Sequence, residues 1–81
     1  MTQVINAYDN IILALAKSGK YVDIRLYEIE NQLNEYLGIV KPRVWQVHIQ
    51  RMIDLGYIKR SDGRYDLVGR KLKLVRAQRV G

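Results

Sequence analysis

The chain has 81 residues, of which 48% are apolar and none is cysteine. This length supports one domain with one modest core, and the lack of cysteine excludes disulfides and thiolate metal sites. No uncharged run is long enough to cross a bilayer, and the N-terminus lacks the basic and apolar blocks of a signal peptide. We therefore expect a cytoplasmic protein without a membrane partner.

The formal net charge of +6 is concentrated in the second half of the chain. Residues 1–40 carry three Lys or Arg and five Asp or Glu, whereas residues 41–81 carry eleven and three. Self-repulsion between like charges disfavours a compact state, so this imbalance indicates a polyanionic partner. Nucleic acid is the first candidate and an anionic membrane surface the second. A basic surface that serves only solubility is the alternative.

Apolar periodicity predicts three helices, at residues 1–18, 26–38 and 42–55. Pro42 suits the first position of the third helix, where its missing N–H costs nothing. The short alternating segment 21–25 predicts a strand. The expected inward-facing residues are Val4, Tyr8, Ile11 and Leu15 in the first helix, and Trp45, Ile49, Met52 and Leu55 in the third.

A β-hairpin is predicted at residues 57–68, because two alternating runs flank an Asp-Gly pair. With Asp62 and Gly63 as the loop, Ile58 faces Leu67 toward the core. On the other face Lys59 meets Asp66 as a pair of opposite charges, and Arg60 and Arg64 remain unneutralised near the tip. The basic segment 70–81 fits either a strand or a short helix.

The stretches "LGIVKPRVWQVHIQRMIDLGYIKR" and "DGRYDLVG" follow one another in the order helix, turn, helix and hairpin. They resemble winged helix-turn-helix domains, and are similar to small bacterial and archaeal regulators of the MarR and ArsR type. Small cysteine-free domains of this kind are frequent in archaea and their viruses, which would place a viral protein in the host cytoplasm. The resemblance covers roughly residues 8–70. It implies an α+β fold with three helices, a small antiparallel sheet and a basic hairpin as the wing.

Two departures from that family are visible. The turn between the second and third helices is one residue longer than usual, and Trp45 stands where valine is common. Trp45 could stack on a base, but its place in the apolar series favours the core.

The third helix would read bases in the major groove of DNA. Its exposed face is predicted to present Arg43, Gln46, Val47 and Gln50. Arginine suits guanine, glutamine suits adenine, and a valine methyl can meet the thymine methyl. An ordinary solvated helix face is the alternative.

The remaining basic residues are predicted to contact the DNA backbone. Lys41, Arg51 and Lys59 would lie on phosphates, and Arg60 and Arg64 of the wing would reach the backbone or a narrow minor groove. Lys41 cannot cap the third helix, so we expect free N–H groups there to attract a phosphate. The alternative is a hairpin that only closes the core.

Catalytic and metal chemistry find no support in the sequence. His48 is the only histidine and has no cysteine partner, so we expect it at the edge of the core or near a phosphate rather than on a metal. Ser18 and Ser61 lack a neighbouring base, and no Gly-rich phosphate loop is present. We predict a non-enzyme without catalytic residues, cofactor or small-molecule ligand.

The leading hypothesis is a sequence-specific, double-stranded-DNA-binding transcription regulator. One winged helix covers about half a binding site, so we expect a homodimer built from the first helix and the C-terminal segment. Two alternatives stay open. One is an architectural nucleic-acid-binding protein without sequence preference, and the other is a protein-interaction winged helix within a larger complex.

Overall fold

The computed structural model describes residues 2–38 and 41–79 of the chain. The elements follow the order α1 (Thr2–Lys17), α2 (Leu26–Leu37), α3 (Pro42–Asp54), β1 (Ile58–Ser61), β2 (Arg64–Leu67) and α4 (Gly69–Arg79). The fold class is therefore α+β, as expected. The expectation of three helices is wrong, because the described part of the chain contains four.

The core is built around α1. Tyr8, Ile11, Ile12 and Leu15 are each 3% exposed or less, so the predicted stripe of this helix is buried; the Val4 side chain lies outside the described residues. These residues share one cluster with buried side chains from every other element, namely Ile24, Ile29, Leu33, Ile49, Met52, Tyr57, Ile58, Tyr65, Leu67, Leu72 and Val75. One continuous core therefore fixes the positions of α3 and of the hairpin.

The ends of α2 have local causes in the sequence. At its start the Arg25 backbone N–H donates to Glu28 Oε2 at 2.8 Å, and Lys20 Nζ lies 3.1 Å from Glu28 Oε1. Both contacts lower the pKa of Glu28, and the hydrogen bond from the Arg25 backbone has the larger effect. At its end Gly38 adopts a left-handed φ of 66°, which glycine reaches without a Cβ clash. The longer turn predicted after it falls on residues 39 and 40, outside the described ranges.

The predicted inward face of α3 is only partly buried. Ile49 and Met52 are buried, and Trp45 is half-buried and packs against the core. Leu55 is 48% exposed, so its predicted burial is wrong. The helix ends at Asp54, and the chain turns at Gly56 with a φ of 79°. Tyr57, 1% exposed, fills the core beyond this turn instead of Leu55.

The strand predicted at residues 21–25 is also wrong. Asp23 has a left-handed φ of 59°, which breaks the extended run. Ile24 forms an isolated bridge with β2, through two backbone hydrogen bonds to Tyr65. One further backbone hydrogen bond joins the segment to β2, from the Leu67 N–H to the Tyr21 carbonyl at 2.8 Å. The segment thus borders the hairpin without forming a strand.

The predicted register of the hairpin is confirmed, with Ile58 opposite Leu67, Lys59 opposite Asp66 and Ser61 opposite Arg64. Asp62 and Gly63 have φ values of 49° and 76°, which is the pattern of a type I′ turn. The expected contact between the charges of Lys59 and Asp66 is wrong. Within the described chain, Lys20–Glu28 is the one pair of oppositely charged side chains whose nitrogen and oxygen lie within 4 Å. Asp66 accepts the Asp23 backbone N–H at 2.9 Å instead.

The ambiguous C-terminal segment forms α4, as far as residue 79, where the description ends. Leu72 and Val75 are buried, one turn apart on the side that packs on α1. Lys71 Nζ lies 4.5 Å from the centroid of the Tyr57 ring, a favourable cation–π contact. Leu74, which an alternating strand would place beside Leu72, is instead 55% exposed. No helix in the described ranges is long and apolar enough to cross a membrane.

Candidate nucleic-acid interface

The outer face of α3 carries the four predicted base-reading side chains. Arg43, Gln46, Val47 and Gln50 are all exposed, and Val47 has 51% of its surface open to solvent. They point outward because Ile49 and Met52 anchor the opposite side of the helix in the core. The face therefore combines a cation, two amides and an aliphatic group on one rigid element.

A groove of about 270 Å³ separates this face from the hairpin. Polar side chains from both elements border it, Gln46 and Gln50 from α3 and Arg60 from β1. The apolar residues lining it are Leu26, Ile49, Ile53 and Tyr65. The groove thus brings three of the predicted DNA-contacting residues to one side of the molecule.

The two glutamines of α3 differ in their local partners. Gln50 Nε2 donates to Asp54 Oδ1 at 2.9 Å, one helical turn away. A glutamine that reads adenine needs one amide hydrogen and its carbonyl acceptor, and the Gln50 amide keeps both because its NH2 group has a second hydrogen. Gln46 lies one turn nearer the start of the helix and borders the same groove.

The N-terminus of α3 does not offer all the free donors expected of it. Pro42 has no N–H, and the Val44 and Trp45 N–H groups both donate to the Lys41 carbonyl, at 3.0 and 3.2 Å. Lys41 makes no side-chain cap, as its chemistry requires. A phosphate at this end would therefore depend mainly on the charged side chains of Lys41 and Arg43, which are both exposed.

The two wing arginines lie on opposite faces of the hairpin. Side chains alternate along a strand, so Arg60 shares the face of Tyr65 and borders the α3 groove. Arg64 shares the other face with Lys59 and lines a separate cleft with Asp23, Asp62 and Asp66. The three carboxylates offset the positive potential of Arg64, so Arg60 is the better placed of the two for an anion.

A buried polar cluster supports α3 from behind. The Tyr8 hydroxyl and His48 Nδ1 share a hydrogen bond, and the rings meet edge to face at 5.7 Å. Burial raises the pKa of the Tyr8 hydroxyl, against the opposing effect of a hydrogen bond from Arg51. The Arg51 side chain, predicted to contact phosphate, is exposed.

A second buried pair sits beside the first. The Tyr57 hydroxyl donates to Asp9 Oδ1 at 2.7 Å, and its ring packs edge to face on Tyr8. Burial, followed by the Asp9 carboxylate, raises the pKa of Tyr57. No local sequence pattern signals either pair, since the partners are 40 and 48 residues apart. Of the two places expected for His48, the structure shows the edge of the core.

The unfolding free energy should decrease on acidification because of His48. Burial, with a smaller contribution from the Arg51 charge, lowers the pKa of His48 below 6.5. The unfolded chain then binds more protons than the folded one as the pH falls from 6.5 to the lowered pKa, so stability is lost over that interval. Urea unfolding of the wild type and of His48→Asn, whose amide can replace Nδ1 as the hydrogen-bond partner of Tyr8, measures this loss. Parallel pH dependences of the two proteins would contradict it.

Comparison with known proteins adds no relative to this geometry, since no protein-family model, curated protein or solved structure matches the chain. Among the described residues, no group of three or more His, Cys, Asp or Glu side chains could hold a metal ion. The candidate site is thus defined by α3, the groove and the inner face of the hairpin.

Proposed function

We propose that the protein binds double-stranded DNA sequence-specifically, as a winged-helix transcription regulator that acts as a homodimer and not as an enzyme. The observation that carries this proposal is the shared groove. It places the amides of α3 and the guanidinium of the hairpin on one side of the molecule, which is the arrangement needed to contact base edges and backbone together.

In this proposal α3 enters the major groove. Gln46 and Arg43 read base edges, Val47 contacts a thymine methyl, and Gln50 joins them with the amide hydrogen that does not donate to Asp54. Lys41 lies on a phosphate at the start of the helix. Arg60 reaches the backbone or the minor groove beside it, because it faces the same side as α3 and Arg64 does not.

The proposed dimer follows from the reach of one DNA-reading unit. One winged helix covers about half a binding site, so a dimer places two α3 helices on the same face of the DNA. This predicts a palindromic site.

Alanine variants on matched duplexes test these roles. Gln46→Ala should lose about 1–3 kcal/mol of binding free energy on a preferred duplex and little on random sequence, because base contacts discriminate and phosphate contacts do not. Gln50→Ala should show the same selectivity, since one amide hydrogen and the carbonyl of Gln50 stay available beside its bond to Asp54. Arg60→Ala should weaken binding to both the preferred and the random duplex. Arg64→Ala should weaken binding to each duplex less than Arg60→Ala does.

Lys17→Ala is the matched control for the loss of one charge, because Lys17 is exposed at the end of α1. Fluorescence anisotropy at one fixed salt concentration gives all the affinities. Equal losses for Gln46→Ala on both duplexes would favour architectural binding without sequence preference. No binding to either duplex by the wild type would favour a protein partner.

A further inference from the structure

A second surface lies on the side of the hairpin that faces away from the α3 groove. Its first part is an acidic cleft of about 520 Å³, lined by Asp23, Asp62, Asp66, Ser61 and Arg64 together with Val22. Three carboxylates face one guanidinium there, so the cleft attracts cations. Duplex DNA does not suit it.

An apolar border adjoins this cleft. Val22 lines the cleft and is 67% exposed, and Tyr21 beside it is 44% exposed. The Tyr21 carbonyl accepts the Leu67 N–H at 2.8 Å, so the border is held firmly against the hairpin. It leaves a valine and a tyrosine facing solvent next to concentrated charge.

The basic side of α4 lies along the same border. Arg76 Nη2 donates to the Tyr21 hydroxyl at 3.4 Å, which places α4 beside Tyr21. The helix contains no Asp or Glu, and its exposed side carries Arg70, Lys73 and Arg76, called here the basic strip.

This order of acid, apolar border and base is the pattern that a two-fold interface requires. Such an interface is isologous, which means that one patch must be complementary to itself after a rotation of 180°. An axis through the border would lay the basic strip of each copy on the acidic cleft of the other. We propose that two copies of this chain associate through this surface, with Tyr21 and Val22 at its centre.

The first helix, expected from the sequence to take part, has little apolar surface left for this role. The apolar stripe of α1 is buried in the core. Ile5, at 38% exposure, is the one exposed large hydrophobic residue of α1 among those whose side chains are described. The proposed surface also leaves both α3 grooves open, because Arg60 and the acidic cleft lie on opposite faces of the hairpin. This interface rests on the proposed homodimer and goes beyond it by naming the surface through which the two copies associate.

Complementary charge-neutral variants test the interface without DNA. Asp62→Asn/Asp66→Asn neutralises most of the cleft; asparagine tolerates the left-handed φ of residue 62, and its amide oxygen can still accept the Asp23 N–H. Arg70→Gln/Lys73→Gln removes two of the three positive charges of the strip and keeps the Arg76–Tyr21 contact. Each variant alone should self-associate at least about tenfold more weakly than the wild type, since both acid–base contacts are lost.

A mixture of the two variants gives the decisive result. In a mixed dimer, one contact joins the altered cleft of the first variant to the altered strip of the second. The other contact joins the wild-type strip of the first variant to the wild-type cleft of the second. The mixture should therefore associate more tightly than either variant alone. Lys17→Gln removes a positive charge from an exposed site outside the strip and should associate as the wild type does.

Sedimentation equilibrium over a concentration series measures all of these species. The wild type should approach twice the 9.5 kDa mass of one chain and should dissociate as salt is raised, because the contacts are ionic. A wild type that stays at one chain mass, neutral variants that associate like the wild type, or a mixture no tighter than its components would overturn the proposal. A monomer that still selects a DNA sequence would overturn this interface and leave the DNA-binding function intact.

Discussion

Doubling the salt concentration should weaken the complex of a dimer with duplex DNA by roughly 100- to 2,000-fold. This follows if each copy neutralises about four to six phosphates, because each contact adds about −0.9 to the slope of log K against log[salt], for a total of roughly −7 to −11. Outside the basic strip and the acidic cleft, the start of α3, α3 itself and the hairpin supply five cations per copy, namely Lys41, Arg43, Arg51, Lys59 and Arg60. Fluorescence anisotropy across a salt series gives the slope.

Single charge variants sharpen this measurement. Lys41→Gln should reduce the magnitude of the slope by about two units in a dimer, one for each copy. Lys17→Gln, which removes the same charge from the end of α1, should leave the slope unchanged. A nearly flat salt response of the wild type would exclude nucleic-acid binding in any form.

Replacing Ile58 by alanine should lower the free energy of unfolding by about 2–5 kcal/mol, the usual range for a buried isoleucine. Ile58 is 1% exposed and pairs with Leu67 at the base of the hairpin. The total free energy of unfolding of a small domain is about 5–15 kcal/mol, so this variant approaches the point at which the domain no longer folds. The hairpin is thus anchored in the core at its base while Arg60, two residues further, faces the groove.

Lys59→Ala is the matched control, since Lys59 is the next residue of the same strand and is exposed. Its change should stay within about 0.5 kcal/mol. Urea unfolding followed by circular dichroism gives both values. Equal small changes in the two variants would show that the hairpin does not contribute to the core.

The hairpin was predictable in detail because its sequence constraints are strict. An Asp-Gly pair favours positive φ at both loop positions, and the period of two then fixes every cross-strand partner. The helices were predictable from the spacing of Tyr8, Ile11 and Leu15 in α1 and of Ile49 and Met52 in α3. Leu55 was misplaced because the helix ended one residue before it.

The features that escaped prediction depend on distant partners. The alternation of Lys71–Leu74 fits a strand, and only packing of Leu72 and Val75 on α1 makes it a helix. The acidic surroundings of Arg64 require Asp23, which reaches the hairpin through the Asp66 side chain. Sequence separation of this kind leaves no local pattern, so the different environments of Arg60 and Arg64 became visible only in the fold.

Selection of bound sequences from a random pool of duplex DNA tests the central claim most directly. Sequence-specific binding by two copies predicts enrichment of one palindromic motif, with half-sites about one helical turn apart. Repeating the selection with Gln46→Ala should change the preferred bases at matching positions in both half-sites, since that side chain reads base edges. Recovery of DNA without any enriched motif, or no recovery of DNA at all, would contradict the claim.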